Sequence, residues 1–130
     1  MLQITTEKQP EGRVRVALIG RLDTETYAQC EKALEPLLTP ATRVLVFDMA
    51  GLDYLSSMGL RVIMKTSKTL AAQGAKCILT RLQPPIRTVI DIARALPPEN
   101  VFTSIEEADR YLDLMQRRTR EKGSSASSAP

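Results

Sequence analysis

Apolar and polar positions alternate at the start of the chain. Leu2 and Ile4 are separated by polar neighbours, and Val14, Val16 and Leu18 alternate with Arg13, Arg15 and Ala17. A period of two predicts two half-buried strands, and Pro10-Glu11-Gly12 between them is a turn signal. After Gly20 the period changes. Tyr27, Cys30, Leu34 and Leu37 follow helical spacing, with Asp23 or Thr24 placed to cap the helix and Pro40 to close it. The segment from Arg43 to Met49 carries the continuous apolar run Val44-Leu45-Val46-Phe47, the pattern of a central strand covered on both faces. A short polar connection then leads to a helix whose face is read as Leu60, Ile63, Met64, Ser67, Leu70 and Ala71, with Gly74 ending it.

Lys76-Cys77-Ile78-Leu79 reads as a further short strand. Pro84-Pro85 opens a helix carrying Ile86, Val89, Ile90 and Ala93, and Pro97-Pro98 stops it. Val101-Phe102 is a last short strand. Ser104-Ile105-Glu106-Glu107 has capping-box spacing ahead of the stripe Ile105, Ala108, Leu112 and Met115. Strands alternating with helices predict a single α/β domain with a mixed, mainly parallel sheet and right-handed crossovers. The domain is expected to span residues 1–116. Residues 117–130 are expected to be a basic helix end, Arg117-Arg118-Thr119-Arg120-Glu121-Lys122, followed by a flexible Ser/Ala-rich tail.

Composition narrows the function classes. At 130 residues, 43% hydrophobic and 25% charged, the chain suits one globular core. No apolar run is long enough for a bilayer, and the first residues lack a signal-peptide plan, so a cytoplasmic protein without membrane attachment is expected. The net charge of +3 is spread until the basic cluster, and the five aromatic residues make no stacking platform, so direct nucleic-acid binding is not expected. Cys30 and Cys77 lack pairing or metal-ligand spacing and read as buried, reduced thiols. There is no histidine, which removes the Ser-His and Cys-His pairs and the commonest metal ligand. No phosphate-binding loop is present and no cofactor or metal is expected. Any phosphoryl group must come from a partner.

The chemistry concentrates at Leu52-Asp53-Tyr54-Leu55-Ser56-Ser57-Met58-Gly59-Leu60-Arg61. A strand delivers two hydroxyls to the start of a helix, where a serine oxygen can accept an orphan N–H and a phosphate is stabilised by free N–H groups and the dipole. Ser57 is read as both the cap and the switch. Gly59 is read as a close backbone contact, Leu60 as core and Met58 as surface.

Ser56-Ser57-Met58-Gly59-Leu60-Arg61, with Gly20-Arg21-Leu22-Asp23 upstream, resembles the signature of the STAS domain family of anti-sigma factor antagonists and sulfate-transporter tails. The resemblance covers roughly Leu2 to Met115. It implies helices packed largely on one face of the sheet. It also implies phosphorylation of the residue two before Gly59, which is Ser57, with Ser56 the less favoured site and standing where the family has Asp. The partner implied is an anti-sigma factor with serine kinase activity, bound by the unmodified protein and released on phosphorylation, with a serine phosphatase restoring binding. Candidate partner contacts are Asp23, Asp53 and Tyr54 beside the signature, and Ser56, Met58, Gly59 and Arg61 within it. The rival readings are a STAS module that senses a ligand or scaffolds a complex, and a hydrolase using Ser57, for which no base is evident.

Overall fold

A computed structural model describes residues 1–115; the basic cluster and the tail lie outside the described residues. Five strands form one sheet in sequential order: β1 (Leu2–Gln9), β2 (Arg13–Leu22), β3 (Val44–Leu55), β4 (Lys76–Thr80) and β5 (Val101–Phe102). β1 runs antiparallel to β2, joined by a tight turn at Pro10–Gly12, and every other pair is parallel. The crossovers are α1 (Tyr27–Leu34), α2 (Ser57–Ala72) and α3 (Pro84–Ala93). Parallel strands laid down in one direction with right-handed crossovers place every crossing helix on the same face. The main core follows from this, with Val16, Leu18, Leu45, Phe47, Cys77 and Leu79 packing against Cys30, Leu34, Val62, Ile63, Leu70, Ile86 and Ile90.

The opposite face is covered by a further helix, α4, described over residues 105–115. Val44, Val46, Ile78 and Phe102 pack there against Ala108 and Leu112. Ser104 caps α4 by accepting the Glu107 N–H at 3.1 Å, while the Glu107 carboxylate accepts the Thr103 hydroxyl at 2.8 Å rather than closing the capping box on Ser104. The polar residues of β2 face α4. Arg13 pairs with Asp113 at 2.6 Å and Arg15 with Asp109 at 3.4 Å, tying the helix across the sheet.

Three expectations differ from the structure. The polar connection after Met49 is strand as far as Leu55. The pairing offset between β2 and β3 grows by one residue between Ala17 and Ile19 and again between Gly20 and Arg21, so β3 carries an extra residue at each of two bulges. The bulges keep Met49, Leu52 and Leu55 on the core face at a spacing of three, which no simple alternation reveals. The buried face of α2 is Gly59, Val62, Ile63, Thr66 and Leu70, rotated from the expected stripe. Thr66 is accommodated because its hydroxyl donates to the Val62 carbonyl at 2.8 Å. Leu60 and Met58 are both half-buried, Leu60 packing against the core edge. Gly74, at φ +74°, ends α2 as expected, with the Gly74 and Ala75 N–H groups returning to Ala71 and Leu70.

Candidate functional site

The site is the junction between β3 and α2. Ser56 has extended backbone, and its Oγ accepts the Gly59 N–H at 3.2 Å, which makes Ser56 the helix cap and Ser57 the first helical residue. This corrects the assignment of the cap to Ser57. Ser56 is also fixed from below, its N–H donating to the Leu22 carbonyl at 3.0 Å. The Ser57 side chain is exposed and makes no hydrogen bond among the described residues. The two hydroxyls therefore divide the work: one holds the helix start, the other is free.

Gly59 explains how close the junction is. A Cβ on it would lie 2.6 Å from the Leu22 carbonyl oxygen and 2.7 Å from Leu22 Cγ, so the first turn of α2 rests directly on the end of β2. The same contact brings the β2–α1 loop beside the helix start. In that loop the Asp23 Oδ1 accepts the N–H groups of Glu25 at 3.0 Å and Thr26 at 3.1 Å, and Arg21 Nε approaches Oδ2 at 3.4 Å. Desolvation opposes the charge of Asp23, but the two N–H groups, the Thr26 hydroxyl and Arg21 outweigh it and hold the carboxyl below its ordinary value. In place of the cap expected of Asp23 there is a turn of hydrogen bonds over Asp23 to Thr26, immediately ahead of α1 at Tyr27. The buried Thr26 closes it, its hydroxyl lying 2.8 Å from the Arg21 carbonyl oxygen and 3.1 Å from Asp23 Oδ1 and sharing its one proton between the two acceptors.

Tyr54 stands on the other face of the sheet, 42% exposed, with the Arg21 guanidinium 4.1 Å from its ring centre. Asp53 is exposed at the second bulge and makes no ion pair or hydrogen bond among the described residues. The structure thus brings Asp23, Ser56, Ser57 and Gly59 to one junction and links Tyr54 to it through Arg21. Arg21 had no assigned role in the sequence reading, although it lies inside the quoted Gly20–Asp23 motif. Arg61 is exposed on α2 one turn after Ser57. Both border an open groove that continues past Leu60, Met64, Lys65 and Lys68.

The two cysteines are buried as expected. Burial pushes the Cys30 thiol up to about 12, with the Glu31 charge adding to it, and burial alone pushes Cys77 up to about 12. Among the described residues no group of His, Cys, Asp and Glu side chains could hold a metal ion. Nor is any described helix long and apolar enough to cross a membrane.

Five strands in sequential order, three crossover helices on one face and a free hydroxyl where the central strand meets its helix define the class of α/β module. A family model for the STAS domain matches residues 3–108, and the chain belongs to that family. It is similar to BtrV of Bordetella bronchiseptica, a protein provisionally described as an anti-sigma factor antagonist. The two are 31% identical over 107 residues, covering 82% of this chain and 91% of BtrV. The fold matches the anti-sigma factor antagonist SpoIIAA in its unphosphorylated form, with a TM-score of 0.74 at 18% identity, covering 85% of this chain and 96% of that one. It also matches the phosphorylated form of Bacillus SpoIIAA, at 0.70 and 19%, covering 85% and 99%. At these identities the structural matches speak to fold alone.

Proposed function

We propose that the chain is a cytoplasmic anti-sigma factor antagonist that binds an anti-sigma factor with serine kinase activity through the β3–α2 junction and is released when that kinase phosphorylates Ser57. The observation that carries this reading is the division between the serines: Ser56 is committed to capping, whereas the Ser57 hydroxyl is exposed and unbonded. Phosphorylation of Ser57 leaves the cap in place, so the fold survives the modification. In the transfer, Ser57 Oγ bonds to the γ-phosphorus of the kinase's ATP as the bond to ADP breaks, and the hydroxyl proton leaves to a base on the kinase. A serine phosphatase restores the hydroxyl by hydrolysis, in which water takes the phosphoryl group as inorganic phosphate and a proton returns to Ser57 Oγ. Similarity to BtrV supports the reading, and SpoIIAA, solved in both phosphorylated and unphosphorylated forms, is an example of a protein of this fold that exists in both states.

The physical logic is local. A phosphoserine adds about −1.5 to −2 charge, which a helix start tolerates and a dehydrated interface does not. Asp23, Ser56, Met58 and Arg61 surround Ser57 in this interface, with Asp53 and Tyr54 on its margin, while Gly59, buried against Leu22, supports it from within. The test is binding to the partner kinase by titration calorimetry. Ser57→Ala should bind constitutively, even with ATP present, and Ser57→Asp should fold but bind poorly. Wild-type affinity in Ser57→Asp would refute the switch.

A further inference from the structure

Arg61 follows Ser57 by four residues on α2. Residues so spaced are neighbours on one helix face, with Cβ atoms about 5–6 Å apart, within reach of a phosphoryl group on one side and a guanidinium on the other. Ser57 and Arg61 border the same open groove. Five other arginines are paired with acids, namely Arg13, Arg15, Arg21, Arg81 and Arg87, whereas Arg61, like Arg43, Arg94 and Arg110, has no acidic partner among the described residues, and of these four only Arg61 borders the groove beside Ser57. We propose that Arg61 is the built-in counter-ion of phosphorylated Ser57, held unpaired until the phosphate arrives. The inference rests on the reading of Ser57 as the phosphorylation site.

The surroundings favour this pairing over others. On α2 the remaining cations of the groove are Lys65, which already lies 3.4 Å from Glu31 of α1, and Lys68, three turns from Ser57. From the β2–α1 loop comes Asp23, engaged by Arg21, and from β3 comes the exposed Asp53. Both are anions and cannot hold a phosphate. Ser56 has no such arginine, because Leu60 occupies the position four residues on. The consequence reaches the partner. In the free protein Arg61, Lys65 and Lys68 make one wall of the groove cationic, and a phosphate of about −1.5 to −2 charge drawn onto Arg61 cancels about half to two-thirds of the wall's formal charge. Release then follows from loss of a basic contact as well as from the phosphate's own bulk.

The test installs phosphoserine at position 57 by genetic encoding and follows its second ionisation by ³¹P NMR. A paired cation stabilises the dianion, so Arg61→Gln should raise that pKa by about half a unit or more relative to wild type, and Arg61→Lys should restore part of the difference. Lys68→Gln removes the same charge from the same groove about 16 Å along the helix, beyond the Debye length of about 8 Å, and should leave the value unchanged. No shift in Arg61→Gln, or an equal shift in Lys68→Gln, would overturn the assignment. Encoding the phosphoserine bypasses the kinase, so failure here refutes the role of Arg61, whereas failure of a kinase to modify Ser57 refutes the proposed function.

Discussion

Replacing each of the two serines by alanine separates the cap from the switch. Ser56 Oγ accepts the Gly59 N–H at 3.2 Å, and removing such a cap costs about 1 kcal/mol. The Ser57 hydroxyl is exposed and unbonded, so its removal should cost close to nothing. A domain of about 115 residues unfolds with an entropy of roughly 0.24 kcal/mol/K, so the loss of 1 kcal/mol lowers Tm by about 4 °C. Calorimetric or circular-dichroism melts in one buffer should therefore show Ser56→Ala about 4 °C below wild type and Ser57→Ala within about 1 °C of it. Ser56→Asp should melt near wild type, because Asp caps as well as Ser and its charge suits a helix start. Kinase treatment should modify Ser56→Ala and Ser56→Asp but not Ser57→Ala. A larger fall in Ser57→Ala than in Ser56→Ala would refute the placement of the cap.

Gly59→Ala gains about 1 kcal/mol of helix propensity but drives a methyl to 2.6 Å from the Leu22 carbonyl oxygen, a backbone atom that yields little. Overpacking of about 1–3 kcal/mol should prevail, so urea unfolding should show a net loss, and a variant more stable than wild type would contradict the close approach. Burial works against the charge of Asp48, but hydrogen bonds from Arg81 and the Ala50 N–H hold its carboxyl below the ordinary value near 3.8. A depressed folded pKa contributes stability that is present above the unfolded value and lost as pH falls through the folded one. The stability gap between wild type and Asp48→Asn should therefore be present at pH 7 and shrink below about pH 4; a gap independent of pH would contradict it. Cys30 and Cys77, with thiols pushed up to about 12, should resist a disulfide reagent at pH 8 in the native protein and both react in denaturant. Reaction of either at the rate of a free thiol would show that it is not buried.

Much of the fold was legible because it rests on local rules. The turn at Pro10–Gly12, the two-sided burial of Val44–Phe47, the proline start of α3 and the Ser104 cap each follow from a few neighbouring residues. What escaped depends on pairing across distance. The bulges of β3 arise from its register with β2, and they turned an apparent polar connection into strand. The rotation of α2 comes from Gly59 and Thr66, residues that carry no apolar signal yet are buried because one lacks a side chain and the other bonds back to Val62. The cap lay one residue from its expected place because adjacent serines are equivalent in sequence and distinguished only by which hydroxyl points at the Gly59 N–H. The pairs Arg13–Asp113, Arg15–Asp109 and Arg81–Asp48 span from 33 to 100 residues of chain and have no local signature.

The most direct measurement incubates the protein with its anti-sigma factor kinase and ATP and locates the product by site-resolved mass spectrometry, with binding to the kinase followed in the same sample. The expected result is one phosphoryl group, on Ser57, with binding lost in proportion to its occupancy. Phosphate found mainly on Ser56, an undiminished mass shift in Ser57→Ala, or full modification with binding retained would contradict the account.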